Sequence, residues 1–414
     1  MKTIVIVGGG YAGLNAAKLL EKQLGRQAGQ SVRLVLIDKE SYHFRRMILF
    51  KAAAGGALLK VPFAHVLGKR IEFVQGSMTE MNAEARTVTV ETQGGVQRNI
   101  VFDRLVLALG STIVPAPAEY GGISLHNVPN AKRVRQEILA NIQKARLETQ
   151  AERRRDLLSV AVAGGGITGI ETAAELIHWM RQEVQKVGLD PSLVQVALIN
   201  SKKRLMAHIH EPFARRVERS LKSMGVQLVH GVKAVNHHSG RVALDDGRVL
   251  KAAVCVWTLG LKPNPMLPQF NLPMDNTGRL LTDPHYRVRG YNHIYAIGDC
   301  ANIVDPATGK EDEMTCKEAV GQATRLAKII KAELQGKTAE AHKSYMNLYC
   351  VGLGPKEGML WAQPVKGVNI YLTGKLGLFA RHTAWNLPSF VDRKLTKRLA
   401  AAGNGSAETT AIGG

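Results

Sequence analysis

The sequence predicts an α/β protein with two parallel-sheet units, because one pattern occurs twice. The first copy reads TIVIVGGGYAGLNAAKLL and the second reads SVAVAGGGITGIETAAEL. Each runs from a short β-branched strand through a glycine-rich turn into a helix with small residues in its first turns. A further apolar strand follows each copy, at residues 32–37 and 194–199. Strand, helix and strand in this order form the βαβ unit of a Rossmann-like dinucleotide-binding domain, so two such domains are expected.

The composition of the sequence indicates a folded chain that binds an anionic partner. The 414 residues are 45% hydrophobic and 21% charged, which suits two or three globular domains. Lys and Arg number 55 and Asp and Glu 34, so the net charge is +21. A nucleotide, a lipid surface or a nucleic acid would satisfy this excess. Nucleic acid is the least expected of the three, since no nucleic-acid-binding module is recognisable.

The four cysteines are scattered and none forms a C-x-x-C pair: Cys255, Cys300, Cys316 and Cys350. This spacing argues against a zinc knuckle and a redox-active dithiol loop, and it is typical of a reducing cytosol. The N-terminal apolar run is too short for a signal peptide, and no segment has the length of a transmembrane helix. Contact with a membrane would therefore be peripheral.

The first glycine motif has the spacing G-x-G-x-x-G directly after a strand. Gly8 permits a tight turn, Gly10 lets a pyrophosphate approach the backbone, and Gly13 lets the helix pack closely on the strand. The helix N-terminus then faces the phosphates with its positive dipole end. Asp38 ends the next strand and can accept hydrogen bonds from a ribose diol. The residues of this copy predicted to bind the cofactor are Gly8, Gly10, Tyr11, Ala12, Gly13, Asp38 and Lys39.

The second glycine motif repeats this chemistry with one change. The position that matches Asp38 is Asn200, and residues 202–204 read Lys-Lys-Arg. An acid here would favour the 2′-hydroxyl of NADH, whereas a neutral amide followed by cations can accept the 2′-phosphate of NADPH. The cations can equally be a solvated turn, so NADH and NADPH both stay open. The predicted binding residues of this copy are Gly164, Gly166, Ile167, Thr168, Gly169 and Asn200.

Three later strands end in residues suited to a nucleotide site. Residues 102–110 and 253–260 each end in glycine, at Gly110 and Gly260. Residues 293–299 end in Asp299, whose carboxylate can bind a sugar hydroxyl, cap a helix, or do both. A helix is expected to follow over residues 317–334.

The two glycine motifs and these strands, in this order and spacing, resemble the flavoproteins of the pyridine nucleotide–disulfide oxidoreductase superfamily over about residues 1–335. Within it the chain is most similar to type II NADH dehydrogenases, which are non-pumping NADH:quinone oxidoreductases, and to the related ferroptosis-suppressor and apoptosis-inducing-factor flavoproteins. The resemblance implies that FAD binds the first motif and Asp299, and that NADH or NADPH binds the second. Glu171 matches the family's glutamate near the contact of nicotinamide and flavin.

The resemblance also implies a domain layout. A discontinuous FAD-binding domain would comprise residues 1–120 and 265–335, with an NAD(P)H-binding domain inserted at residues 121–264. Residues 336–400 would form a C-terminal segment that associates with a membrane or an interface, and residues 401–414, which are small and polar, a disordered tail.

The implied activity is hydride transfer from NAD(P)H to flavin N5, followed by transfer of two electrons to a quinone. Glu171 and Lys317 are the predicted catalytic residues, Lys317 because it can join a helix N-terminus in stabilising negative charge on the flavin. Lys317 can also be simply an exposed first-turn residue. A redox disulfide is not expected, since the helix placed near residues 42–54 holds no cysteine.

The quinone assignment has alternatives, because the sequence departs from the family's Ala-Gln-x-Ala-x-Gln-Gln motif. Of the residues from Cys316 to Gln322, only Ala319 and Gln322 match it. A soluble acceptor, of the ferredoxin type or another small oxidant, would suit the same flavin chemistry. A flavin-bearing nucleic-acid-binding protein is a minor alternative, and a homodimer stays open.

The C-terminal segment carries an amphipathic pattern. On a helix, one face would hold Leu387, Phe390, Val391, Leu395 and Leu399, flanked by Arg393, Lys394, Lys397 and Arg398. Such a face can lie in an anionic lipid surface or pack on the parent domain. The first alternative would make the protein cytoplasmic and peripheral on the inner face of the cell membrane.

Overall fold

A computed structural model describes residues 1–401, so the tail expected at residues 401–414 lies outside the described residues apart from Ala401. The helices are α1 (Tyr11–Leu24), α2 (Leu49–Ala54), α3 (Phe63–Val66), α4 (Val128–Leu147), α5 (Ala151–Leu157), α6 (Ile167–Lys186), α7 (Glu211–Ser223), α8 (Cys316–Leu334), α9 (Gly374–Asn386) and α10 (Arg393–Ala401).

The first sheet has seven strands, in the order Ile294–Ala296, Arg104–Leu107, Lys2–Val7, Val32–Asp38, Ile71–Asn82, Thr87–Thr92 and Gln97–Val101. The first five pair in parallel and the last two are added as antiparallel hairpins. The middle strand of the five parallel ones reads KTIVIV, and Ile4, Val5 and Ile6 are fully buried. Such a continuous apolar run is typical of a parallel strand covered on both faces. The edge strand Ile294–Ala296 comes from far along the chain, so an insertion separates two parts of one sheet.

The second sheet lies within that insertion and is wholly parallel. Its five strands are, in order, Ile123–Ser124, Val254–Trp257, Ser159–Ala163, Gln195–Asn200 and Val226–His230. Helices α4 and α6 contribute apolar faces to the core of this sheet. The predicted α/β fold class with two Rossmann-like units is confirmed.

Smaller sheets complete the architecture. An antiparallel sheet (Ala234–His238, Arg241–Leu244 and Val249–Lys251) extends the second unit. The C-terminal segment forms another, from Asn347–Leu353, Glu357–Gln363 and Ile370–Leu372, with α9 packed on it. Two-stranded pairs join Ser111–Ile113 to Leu261–Pro263, Tyr42–Phe44 to Lys60–Pro62, and Leu280–Leu281 to Ala301–Asn302.

The amphipathic face expected in the C-terminal segment is interrupted. Phe390 has a left-handed backbone (φ 54°), which ends one short helix before α10 begins. Phe390, Val391 and Leu395 pack against the core of the first sheet, and Leu399 is buried in the described structure. Most of this face is therefore buried on the parent domain, whereas Leu387 is exposed.

Candidate functional site

The two glycine turns occupy equivalent places in their sheets. The amide of Gly8 donates to the carbonyl of Ile37 at 2.8 Å, and that of Gly164 donates to Ile199 at 2.9 Å. A Cβ atom on Gly13 would lie 1.8 Å from the Gly8 carbonyl oxygen, and one on Gly169 would lie equally close to that of Gly164. Each helix therefore packs so closely on its strand that only glycine is accommodated.

The helices that follow these turns begin without side-chain caps. Gly10 is the N-cap of α1 and Gly166 that of α6, and neither first turn holds an acidic residue. A Cβ atom on either glycine would meet nothing within 4 Å, so a ligand has free access to the backbone. The uncapped amides of first-turn residues such as Tyr11, Ala12, Ile167 and Thr168, with the helix dipole, suit a phosphate.

The strand next to each turn ends in a polar side chain. Asp38 accepts hydrogen bonds from the amides of Gly9 at 2.6 Å and Glu40 at 2.8 Å, and burial raises the pKa of its carboxyl group. In the second unit Asn200 lies against Gly165, where an added Cβ atom would be 2.3 Å from its Oδ1. Lys39, which follows Asp38, is exposed.

Asp299 lies where three distant segments meet. Its carboxylate accepts hydrogen bonds from the hydroxyl of Ser111 at 2.5 Å and from the guanidinium of Arg46 at 3.2 Å. Gly110 and Gly260 adopt positive φ angles (67° and 97°) directly before the paired strands that link the two units. The backbone directly before Asp299 lies beside the first turn of α1, since a Cβ atom on Gly298 would be 2.8 Å from that of Ala12.

The side-chain amide of Gln322 makes buried hydrogen bonds through both its oxygen and its nitrogen. Its Oε1 accepts from the amide of Gly298 at 2.7 Å, and its Nε2 donates to Asp312 at 2.8 Å. Asp312 in turn lies 3.3 Å from the imidazole of His342. Gln322, one of the two residues that match the family's quinone motif, therefore holds the Ile297–Gly298 peptide directly before Asp299.

Glu171 and Arg381 form a buried bidentate ion pair between α6 and α9. The Glu171 oxygens lie 2.7 and 2.8 Å from the guanidinium nitrogens, and one of them also accepts from the amide of Gly352 at 2.7 Å. Both side chains are less than a tenth exposed. Burial alone would lower the pKa of Arg381, but the Glu171 carboxylate outweighs it and the pKa is raised. Glu171 thus lies behind the second glycine turn and is held by the C-terminal segment.

Lys317 is largely buried in the first turn of α8 rather than exposed. Its ammonium pairs with the carboxylate of Glu318 and lies 5.1 Å from the centre of the Tyr349 ring. Burial raises the pKa of Glu318, and Lys317 opposes this shift. Much of the positive charge that Lys317 would offer to a ligand is therefore already balanced.

The cysteines lack the properties of a dithiol centre. None of the four is in a disulfide. Burial raises the pKa of Cys316 to about 12, of Cys255 to about 12 and of Cys300 to about 11. These thiols stay protonated at neutral pH, and a protonated thiol is a poor nucleophile. Among residues 1–401 no cluster of His, Cys, Asp and Glu has the arrangement of a metal site.

Sequence reasoning missed His43 and Arg45, which contact the C-terminal segment, and Arg46, which contacts Ser111 and Asp299. The helix placed at residues 42–54 is in fact a short strand, a 3-10 turn and then α2 from Leu49. The guanidinium of Arg45 is buried and donates to Asn386 at 2.5 Å. The only signal in the sequence was a pair of arginines within an otherwise apolar stretch, HFRRMILF.

Comparison with known proteins agrees with this geometry. The type II NADH:quinone oxidoreductase of Staphylococcus aureus is 26% identical over 378 residues, which cover 88% of this chain and 91% of that protein. NDH2 from Plasmodium falciparum, solved in complex with NADH, has a TM-score of 0.74 at 15% identity and covers 96% of this chain and 98% of its own. The sulfide:quinone oxidoreductase of Aquifex aeolicus has a TM-score of 0.72 at 18% identity, with coverage of 97% and 95%.

The family model described as pyridine nucleotide-disulphide oxidoreductase matches residues 2–323. This match spans both sheets, both glycine turns and Asp299. The chain therefore belongs to the pyridine nucleotide-disulphide oxidoreductase family.

Proposed function

We propose that this protein is an FAD-dependent oxidoreductase that takes hydride from NADH or NADPH and delivers two electrons to a quinone. The main support for this proposal is the pair of equivalent glycine turns, each of which leads into a helix N-terminus without a side-chain cap. Two sites of this kind suit two dinucleotides. The similarity to type II NADH:quinone oxidoreductases over nearly their whole length supports the choice of acceptor.

The residues of the first unit are suited to hold FAD. The amides at the start of α1 would bind its diphosphate, Asp38 its ribose, and Asp299 the ribityl chain and its phosphate. The open space above Gly10 fits a ligand at this point. When bound, FAD supplies the hydride and electron-transfer chemistry, and the protein supplies orientation and electrostatics.

The residues of the second unit would bind and orient the nicotinamide dinucleotide. The α6 N-terminus would hold its diphosphate, and the Glu171–Arg381 pair fixes α6 against α9 behind it. The role that this geometry supports for Glu171 is therefore positioning, since both carboxylate oxygens already accept hydrogen bonds inside the protein.

The proposed membrane surface is the exposed apolar face around α9. Leu376, Phe379 and Leu387 share this face, and they are 66%, 72% and 71% exposed. Further exposed apolar side chains precede α9, Val365 and Val368 in a loop and Ile370 at the start of the strand Ile370–Leu372. Lys366 and Lys375 lie among them, so the surface is apolar with cations at its edge and suits an anionic bilayer. Within residues 1–401 no helix has the length and apolar character needed to span a bilayer.

Such a surface would bring the proposed quinone chemistry next to lipid. α9 carries the exposed apolar residues on one side and Arg381 and Trp385, both buried, on the other. A lipid-soluble acceptor would therefore approach the protein from the α9 side. We accordingly propose a peripheral location on the inner face of the cell membrane.

The test is steady-state oxidation of NADH and NADPH by the purified, FAD-containing protein against quinones, ferricyanide, disulfides and a ferredoxin. Turnover with quinones but not disulfides is expected, and Asp299→Ala should release FAD, seen as loss of flavin absorbance after gel filtration. Turnover restricted to a soluble protein acceptor would replace the quinone. A protein that binds no FAD would overturn the proposal.

A further inference from the structure

The turn after the strand Gln195–Asn200 differs in charge from its counterpart after Val32–Asp38. Residues 38–40 read Asp-Lys-Glu, whereas residues 200–203 read Asn-Ser-Lys-Lys. Both turns lie beside a glycine turn, as the matching bonds of Gly8 to Ile37 and of Gly164 to Ile199 establish. In a Rossmann-like unit this is where the 2′ position of the adenosine ribose is recognised.

Asn200 presents a fixed, neutral amide at this point. It is 4% exposed, and its Nδ2 donates to the carbonyl of Lys202 at 2.8 Å and lies 3.2 Å from Nδ1 of His230. The carboxylate that contacts this cluster belongs to Glu218. It is turned towards the interior, where it accepts from the amide of Leu205 at 2.8 Å and lies 3.6 Å from His230.

The cations that follow Asn200 have two different roles. The guanidinium of Arg204 donates to backbone carbonyls of the loop that follows, including those of Met206 at 3.0 Å and Ala207 at 2.7 Å, so it braces that loop. The side chains of Lys202 and Lys203 are exposed. The backbone of Lys202 is anchored, because its carbonyl also accepts from the amide of Gly231 at 3.1 Å. The two lysines thus stand on a fixed turn next to a neutral amide.

We propose that Ser201, Lys202 and Lys203 form a subsite for the 2′-phosphate of NADPH, and that the protein prefers NADPH to NADH. This inference rests on the proposed function and names its electron donor. A carboxylate at position 200 would repel a phosphate dianion, and the neutral amide does not. The two ammonium groups supply charge-assisted hydrogen bonds to the phosphate oxygens.

The test is calorimetric titration of the FAD-containing protein with adenosine 2′,5′-bisphosphate and with adenosine 5′-monophosphate, which differ only in the 2′-phosphate. The bisphosphate should bind about tenfold more tightly at low salt, and this margin should shrink as salt is added. Lys202→Ala/Lys203→Ala should abolish the margin, and Asn200→Asp should reverse it. The control Lys144→Ala/Lys222→Ala removes two exposed lysines elsewhere in the same unit and should keep it.

The outcomes separate this inference from the proposed function. Equal affinity for the two nucleotides, or the same loss in the control variant, would overturn the 2′-phosphate subsite while NADH oxidation could stand. Failure to bind either nucleotide would overturn the subsite and, with it, the assignment of the second glycine motif to a nicotinamide dinucleotide.

Discussion

His43 is a fully buried histidine with a partner at each ring nitrogen. Its Nδ1–H donates to the carbonyl of Gly9 at 3.0 Å, and its Nε2 lies 3.2 Å from the hydroxyl of Ser389. The imidazole ring also lies edge-on to the ring of Tyr11, with 4.7 Å between the two ring centres. Burial lowers the pKa of the His43 imidazole to about 4. The hydrogen bond to the Gly9 carbonyl raises this pKa, whereas the charge of the nearby Arg45 lowers it further. The neutral imidazole therefore ties the first glycine turn to the C-terminal segment.

This environment predicts a loss of stability on acidification. A folded pKa of about 4 against an ordinary value of 6.5 means that the unfolded chain binds a proton first. The contribution of neutral His43 to the free energy of unfolding is then complete above pH 6.5. It is lost as the pH falls towards 4, and the loss is about 3 kcal/mol at most. Urea denaturation of the wild type and of His43→Asn across this range should show a difference that grows with pH. A constant difference would mean that His43 does not titrate in this way.

At the residue level, the sequence could predict the positions whose chemistry is local. Gly8, Gly13 and Asp38 follow one strand or end its neighbour, so their spacing along the chain already specifies their place in the unit. The partners of the acids could not be predicted. Arg46 meets Asp299, and Arg381 meets Glu171, across hundreds of residues, and such contacts depend on tertiary packing.

At the level of elements, the buried ion pair between α6 and α9 links the second unit to the C-terminal segment. The guanidinium is also 3.5 Å from the sulfur of Cys350 and lies 5.1 Å from the centre of the Trp385 ring. Charges buried to this extent lose their hydration, so each depends on its partner.

Removing one charge of this pair should therefore be costly. Arg381→Met would leave Glu171 buried and unpaired, and the free energy of unfolding should fall by about 3–5 kcal/mol. Glu171→Gln/Arg381→Met should recover much of the loss, because it removes both charges and keeps an acceptor for the Gly352 amide. Denaturant unfolding of the wild type, the single variants and the double variant measures this coupling. If the double variant is no more stable than Arg381→Met, the ion pair is not the origin of the loss.

Element boundaries show where sequence patterns stop being sufficient. The helix predicted at residues 317–334 is α8, Cys316–Leu334, because an apolar periodicity runs through it. The charged stretch at residues 130–156 reads in sequence as one helix, because no apolar periodicity marks its break, and it is two helices, α4 and α5. At residues 42–54 the chain is divided among a strand, a turn and a helix, since it passes between the first unit and the C-terminal segment.

At the level of the whole molecule, the C-terminal segment is part of the body and not a separate anchor. Asn15 of α1 donates to the carbonyl of Pro388 at 2.9 Å, and Arg45 donates to Asn386. Residues of this segment contact both cores, with Trp385 in the core of the second unit and Phe390, Val391 and Leu395 packed against that of the first. Truncation before α9 would therefore expose both cores, and membrane affinity must be tested with surface substitutions.

The proposed membrane surface predicts the result of such substitutions. Leu376→Ser/Phe379→Ser removes two side chains that are 66% and 72% exposed, so the fold and the flavin should be unaffected. Sedimentation with vesicles of anionic phospholipid should fall by at least about tenfold, since burying these side chains contributes about 1.5–3 kcal/mol each. High salt should release the wild type only in part, because the apolar contribution to binding is not screened by salt as the lysine contribution is.

The control variant Val101→Ser/Leu147→Ser, which alters exposed apolar residues of other elements, should sediment like the wild type. Activity with ferricyanide should be equal in all three proteins, and activity with a long-chain quinone in vesicles should fall only in the α9 variant. If that variant still sediments with vesicles, or if the wild type never does, the bilayer does not bind at this surface.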